Sequence, residues 1–400
     1  MQNHSRRAAA RLLKSLALTI AACAPVSLHA ADCPQPAQWL RLDNGHATPV
    51  ALQDVIAHAA RQRVVLLGES HDSAEHHRWQ LHVLAALHAR QPAIALGLEM
   101  FPRRLQPVLD AWSAGTLGES EFLQRSEWDE VWGIDPALYL PLFHYARMHR
   151  IPMLALNVER TMVREIGSQG WEAIPAERRE GVADPAPPSN EYLKSLYDAF
   201  VAHGRPGTPS AQPPAEADLR DPQFTRFVQS MQVWDRAMAQ RISDQLVHGS
   251  TRMVIGIMGS GHLRDGFGVP PQLRALGVHD AVVLLPWETG TQCETPQAGV
   301  ADYLFGVMDD SAPAPRPRLG VTLDNDEAGV VVRAVAKDSI AEQAGIRGGD
   351  VIIRIAGRPV TAMKDVTAAV QRQAPGTWLP LSVRRADSTV ELVARFPAQP

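Results

Sequence analysis

Five short, unbroken apolar runs limit what this chain can fold into more than any other feature. They are Val64-Val65-Leu66-Leu67, Ala93-Ile94-Ala95-Leu96-Gly97-Leu98, Met153-Leu154-Ala155-Leu156, Met253-Val254-Ile255-Gly256-Ile257-Met258 and Ala281-Val282-Val283-Leu284-Leu285. None alternates apolar with polar residues, so each reads as a strand covered on both faces. Helical sequence lies between them: about 74–90, from Gln106 onward, and about 138–149. Phe224, Phe227, Val228, Met231, Trp234, Met238, Ile242 and Leu246 recur at the three-and-four spacing of an amphipathic helix. Buried strands alternating with helices predict an α/β fold, a mostly parallel sheet with helices on both faces.

Four of the runs end in polar groups: Gly68-Glu69-Ser70-His71, Glu99, Asn157 and Gly259-Ser260-Gly261-His262. Open parallel sheets bind ligands beyond the carboxyl ends of their strands. The topology therefore predicts that Glu69, His71, Glu99, Asn157 and His262 gather on one rim. Taken singly, Asn157 reads as a cap and His71 as the start of a helix. Together they mark a pocket, because ionisable groups seldom end interior strands without use.

Two chemistries suit that set. Glu69, His71, Glu99 and His262 could serve general acid–base hydrolysis, and His71, His262 and Glu99 could hold a divalent metal. His-Glu-x-x-His is absent, and Asp72 after Ser70 and Met258 and His262 around Ser260 stand where a Gly-x-Ser-x-Gly elbow needs glycine. A zincin-type protease and a serine nucleophile are therefore not expected.

A chain of 400 residues predicts more than one core. Residues 309–317, Asp309-Asp310-Ser311-Ala312-Pro313-Ala314-Pro315-Arg316-Pro317, read as a semi-rigid spacer. This divides a first domain, 31–308, from a second, 318–400. A Pro-rich insertion spans 184–222 within the first. Charged residues make up 20% of the chain and the formal net charge is −4, with no basic stripe, so no nucleic-acid partner is expected.

Residues 1–30 have the layout of a signal peptide: Arg6, Arg7, Arg11 and Lys14 precede an apolar stretch too short to span a bilayer. Cleavage after Ala30 leaves 35 basic against 43 acidic residues, a net charge of −8. The competing exit, Ile20-Ala21-Ala22-Cys23, has the form of a lipobox that would acylate Cys23 and attach the protein to a membrane. The expected location is the periplasm, or the periplasmic face of the outer membrane if Cys23 is the anchor. Either exit leaves Cys33 and Cys293, an even pair that an oxidising compartment favours as a disulfide.

Several of these segments carry a family likeness. Leu67-Gly68-Glu69-Ser70-His71-Asp72 with His77 and Gln80, Leu98-Glu99-Met100-Phe101, Leu156-Asn157, Gln232-Val233-Trp234-Asp235-Arg236-Ala237-Met238-Ala239 and Gly259-Ser260-Gly261-His262-Leu263 occur in the order found in the ChaN family. That family is haem-binding and uptake-associated and is related to the Tiki and erythromycin-esterase superfamily, whose hydrolases use a Gly-Glu-x-His motif. The resemblance, from about Val64 to Pro286, implies an α/β fold, haem as cofactor and a homodimer with paired haems. It also implies a tyrosine on the iron, for which Tyr139, Tyr145, Tyr192, Tyr197 and Tyr303 are the first candidates; Tyr192 and Tyr197 lie in the insertion, where a ligand could close over a flat cofactor. His71, Asn157 and His262 would line the cofactor site. Covalent haem attachment is excluded by the lack of Cys-x-x-Cys-His.

From Arg318 on, the sequence resembles HtrA-type PDZ domains. Arg318-Leu319-Gly320-Val321 matches the carboxylate-binding loop and opening strand; Ser339 to Ile346, Gly348 to Ile352 and Ala356 to Val360 follow in order. A small β-rich domain that docks a protein's C-terminal peptide is implied. The trypsin-like Gly-Asn-Ser-Gly-Gly is missing upstream, so the likeness does not extend to a protease.

Overall fold

The computed structural model describes residues 33–43, 46–204, 216–249, 251–289, 293, 295–308 and 317–398. The signal-like segment with Cys23, and the spacer up to Arg316, lie outside the described residues. The chain divides into two compact units, Met1–Asp309 and Asp310–Pro400.

The first unit is built on an eight-stranded sheet. Its strands are β1 (Trp39–Asp43), β2 (His46–Val50), β3 (Val64–Glu69), β4 (Ile94–Pro102), β5 (Met153–Asn157), β6 (Met253–Gly259), β7 (Ala281–Thr289) and β8 (Tyr303–Met308), in the order β2-β1-β8-β7-β3-β6-β4-β5. All pairings from β8 to β5 are parallel, and the β8–β1 and β1–β2 pairings at one edge are antiparallel. Every residue of β3, β4, β5 and β6 is buried, the burial expected of a parallel sheet covered on both faces. One apolar cluster packs the helices Leu52–Ala59, Ala74–His88, Gln106–Ser113 and Leu140–Met148 on one face. Another packs the long helix Pro222–His248 and the helix Val269–Ala275 on the other. Cys33 and Cys293 form a disulfide that ties the segment before β1 to the segment after β7.

Two boundaries differ from the sequence reading. β4 runs on to Pro102, so Glu99 lies within the strand, at a register irregularity between Leu98 and Pro102. The Pro-rich insertion contains the helix Asn190–Gly204, whose Tyr192 and Leu196 pack on Phe224 and Val228 of the long helix.

The second unit holds β9 (Val321–Asp326), β10 (Gly329–Val335), β11 (Val351–Ile355), β12 (Arg358–Pro359), β13 (Trp378–Arg385) and β14 (Ser388–Arg395). They form an antiparallel sheet in the order β14-β13-β11-β10-β9, with β12 paired to β11. Its own core includes Leu319, Val330, Ile352, Val366 and Leu381.

Candidate functional site

β3 and β6 lie side by side with Glu69 opposite Gly259. After β3 the chain moves toward β4, and after β6 it moves the other way, toward β7. That reversal opens a crevice at the carboxyl ends of the two strands.

Glu69 is only 2% exposed, yet its carboxylate is well served. Oε1 accepts the Tyr139 hydroxyl hydrogen at 2.6 Å and lies 2.8 Å from His71 Nδ1. Oε2 accepts from Gln80 Nε2 at 2.9 Å. The helix Ala74–His88, capped by the Ser73 side chain, places Gln80 there together with His77, whose Nδ1 is 3.4 Å from Oε2. Partners of this kind replace the lost hydration of a buried carboxylate. Burial, then the Glu69 charge, holds the Tyr139 hydroxyl pKa far above its ordinary value, so Tyr139 stays a donor.

Glu99, 1% exposed, is held differently. Oε2 accepts the Gly259 N–H at 2.7 Å and Oε1 lies 3.5 Å from His262 Nε2. His262 Nδ1 is 2.6 Å from Asp235 Oδ1, and Asp235 Oδ2 accepts the Tyr192 hydroxyl hydrogen at 2.8 Å. Asn157 Nδ2 donates to the Glu99 main-chain carbonyl at 2.9 Å and so braces the strand irregularity. Burial opposes a charge on His262, but Glu99 and Asp235 outweigh it and push its pKa up to about 10. Burial likewise opposes ionisation of Glu99, and the His262 charge overcomes this, leaving its pKa below the ordinary carboxylate range. The pair is a buried imidazolium–carboxylate contact.

His71 stands between the two carboxylates, with its side chain 36% exposed. Its ring meets Trp132 edge-on, 4.7 Å between centroids. A Cβ on residue 259 would lie 3.0 Å from His71 Cε1 and 3.3 Å from Nε2, so a glycine there lets the imidazole rest over the end of β6. Burial works against the His71 charge, whereas the Glu69 hydrogen bond and the Glu99 field favour it, and the net shift is upward.

A groove of about 210 Å³ adjoins the rim, with Met100, Trp132, Asn157 and Trp234 in its walls. Trp234 also packs on His262, 5.2 Å between ring centroids. Its indole Nε1 is buried and has no hydrogen-bond partner among the described residues. Arg104, Arg160 and Arg164 border the same groove; Arg104 is paired with Glu127 at 2.6 Å, and the other two are exposed.

The structure thus brings together Glu69, His71, Glu99, Asn157 and His262. Among the described residues, no group of three or more His, Cys, Asp or Glu side chains is arranged to hold a metal ion. Tyr192 reaches the rim as the buried donor to Asp235, and burial with the Asp235 charge drives its pKa well above its ordinary value. Through Asp235, Tyr192 is linked to His262. Tyr197 packs against Phe200 and Phe224. From the sequence, Tyr139 is one of five candidate iron ligands and Asp235 stands within the family motif at 232–239, but neither is expected as the partner of Glu69 or of His262. Asp235 had one visible signal: an acid beside the apolar stripe of an amphipathic helix.

In the second unit, Leu319 is buried and Gly320 has φ +84°. A Cβ on Gly320 would lie 2.3 Å from Ser339 Cβ, so the turn after Arg318 requires glycine. Val321 opens β9, which has a sheet neighbour on one side only, and the helix Met363–Gln371 approaches the same strand. An open strand edge beside such a turn can accept an extended peptide and its terminal carboxylate.

Comparison with known proteins agrees with this division. Residues 55–273 match the family described as haem-binding uptake, Tiki superfamily, ChaN, and residues 317–394 match the PDZ domain. A solved structure of ChaN of Campylobacter jejuni, described as showing cofacial haem binding, is 21% identical, covers 68% of this chain and 98% of that one, and has a TM-score of 0.51. At that identity the likeness is one of fold. The HtrA3 PDZ domain bound to the phage-derived ligand FGRWV is 25% identical over 20% of this chain and 83% of that one, with a TM-score of 0.18. Serine protease HTRA1 of Xenopus tropicalis is 37% identical over 65 residues, 16% of this chain and 14% of that protein. The chain therefore spans a small part of that curated relative.

Proposed function

The chain belongs to the ChaN family of haem-binding uptake proteins in the Tiki superfamily, and from that premise we propose that it holds haem at the β3–β6 rim. The observation that carries this is the setting of His71. Its Nδ1 is fixed on Glu69 at 2.8 Å, while the opposite edge of the ring lies over Gly259 in a partly open position. An imidazole whose other nitrogen is held by a carboxylate is the usual form of an iron-ligating histidine.

The surrounding residues fit such a group. Trp132 and Trp234 offer aromatic walls, the buried Trp234 N–H lacks an acceptor, and exposed Arg160 and Arg164 suit propionate carboxylates. When bound, haem would supply an iron centre open to axial ligation. Glu69 orients His71, Asp235 and Glu99 keep His262 cationic, and Tyr192 and Asn157 position those two layers.

The location follows from the signal-like N-terminus and from a disulfide suited to an oxidising compartment; we place the protein in the periplasm. The PDZ domain docks the C-terminal peptide of a partner through the Gly320 turn and the β9 edge. A homodimer with paired haems remains part of the family-based expectation.

One observation favours a second reading. The Glu69–His71 pair, with cationic His262 nearby, could equally activate water and stabilise a developing anion in hydrolysis. Optical titration of the full chain with ferric haem separates the two. Haem binding predicts a saturable Soret change that weakens about tenfold or more in His71→Ala and in Glu69→Gln. Wild-type protein that binds no haem, yet turns over an ester or peptide about 10²–10⁴ times faster than His71→Ala, would establish the hydrolase instead.

A further inference from the structure

The sheet of the second unit ends in two edge strands. β9 is the edge beside the Gly320 turn. The other is β14, which among the described residues pairs with β13 alone. An open edge invites pairing with another chain, and proteins often blunt such edges with proline. The edge strand of the first unit, β2, carries Pro49. β14 carries no proline, and its two charges, Glu391 and Arg395, are opposite in sign.

Which groups face the open edge follows from the register. Pro380 of β13 lies opposite Val393, and its carbonyl accepts the Ala356 N–H at 2.8 Å on the far side, at the end of β11. Opposed residues of an antiparallel pair point their main-chain groups toward each other or apart. The Val393 N–H and C=O therefore point away from β13, and by the period of two so do those of Glu391 and Arg395. The intervening positions turn inward: the Phe396 N–H donates to the Thr377 carbonyl at 2.9 Å.

The side chains of the same three residues emerge away from the core. Val393 is 41% exposed and Trp378, on the same face of β13, is 65% exposed; Pro380, Glu391 and Arg395 are exposed as well. The Arg395 guanidinium lies over the Trp378 ring, 4.8 Å from its centroid, and Glu391 accepts from the Ser382 hydroxyl at 2.8 Å. Both charges are thus held in place beside Val393. The short helix Ile340–Gln343 approaches β14 from the opposite face, where Ala341 and Leu392 join the apolar core.

We propose that β14 pairs antiparallel with β14 of a second copy of this chain, about a two-fold axis through Val393. In that register Val393 meets its own counterpart, and Glu391 of each copy faces Arg395 of the other. The match is a matter of spacing, because the opposite charges stand two residues to either side of Val393. Centring the pair on Glu391 or on Arg395 would set like charges opposite each other. Pro380 and Val393 of both copies then form one apolar row across the joined sheets. The contact is short, so it makes a weak, concentration-dependent dimer. It leaves β9 open in each copy, and a partner with paired C-termini would gain avidity from it. The inference rests on the second unit alone and is independent of haem at the rim.

Sedimentation velocity of the haem-free full chain, from micromolar to millimolar concentration, tests it. Wild type should shift from monomer toward dimer as concentration rises. Glu391→Arg sets like charges across the axis and should weaken the dimer about tenfold or more. Adding Arg395→Glu to that variant reverses both charges and should restore pairing. An equal mixture of the two single variants should pair better than either alone. Val393→Pro removes an N–H that points away from β13 and should also abolish pairing, with cooperative unfolding of the domain retained. A wild type that stays monomeric throughout overturns the inference. A dimer indifferent to Glu391→Arg and to Val393→Pro overturns it too, because the two copies would then meet on another surface.

Discussion

Glu69 ends β3 and Glu99 lies within β4 of the same sheet; they are almost equally buried, yet they are held in opposite ways. Glu69 is surrounded by hydrogen-bond donors, Tyr139, Gln80 and His71, two of them uncharged. Glu99 is held by a buried cation, His262, itself clamped by Asp235. A carboxylate solvated by donors survives the loss of one donor with a modest deficit. A buried ion pair does not, because removing one member strands the other's charge. The rim thus joins a tolerant half that orients His71 to an intolerant half that fixes local charge.

His262→Ala should therefore give the largest effect, destabilising the first domain by about 3–5 kcal/mol through uncompensated Glu99 and Asp235. Tyr139→Phe removes one donor from Glu69 and should cost only about 1–3 kcal/mol. Denaturant unfolding of both variants measures the contrast, and equal losses would erase it. Gly320→Ala tests the other domain. Its Cβ would press on Ser339 in a backbone region that disfavours side chains, costing about 1–3 kcal/mol and weakening peptides with a free C-terminal carboxylate. Amidated peptides should bind worse than free acids to the wild type.

The smallest effect is the pH dependence, and its sign separates the two halves. The His262 pKa is raised from an ordinary 6.5 to about 10. The stability it contributes is full below about 6.5 and is lost as pH rises through 10. Glu99 is shifted downward, so its contribution is present above its ordinary value and is lost as pH falls through the depressed one. Melting temperature against pH should fall at both extremes in the wild type. Glu99→Gln should flatten both limbs, and an unchanged profile would refute the ion pair.

The same contrast governs what the sequence could reveal. The partners of Glu69 in the segment 69–80 lie within one strand–helix unit, and the family resemblance groups Glu69, His71, His77 and Gln80 there. The partners of Glu99 are Gly259 and His262, with Asp235 holding His262 and Tyr192 holding Asp235; these residues meet only once β4 and β6 pair and the long helix crosses them. His262 could be anticipated because it follows a strand end. Asp235 could not be assigned a role, because its neighbours on the helix explain its position by packing. Tyr192 and Tyr197 stood out because prolines surround them. Proline marks irregular backbone but does not say where the enclosed helix docks, and here it docks with Tyr192 facing Asp235. The continuous apolar runs were the most legible feature, since burial on both faces is written in every residue.

The central claim is that the β3–β6 rim seats haem through His71. Crystals of the full chain grown with ferric haem, with anomalous differences recorded at the iron absorption edge, test it most directly. An iron peak beside His71 Nε2, lost in crystals of His71→Ala, is the predicted result. Iron found elsewhere on the chain with nothing at the rim would contradict the claim.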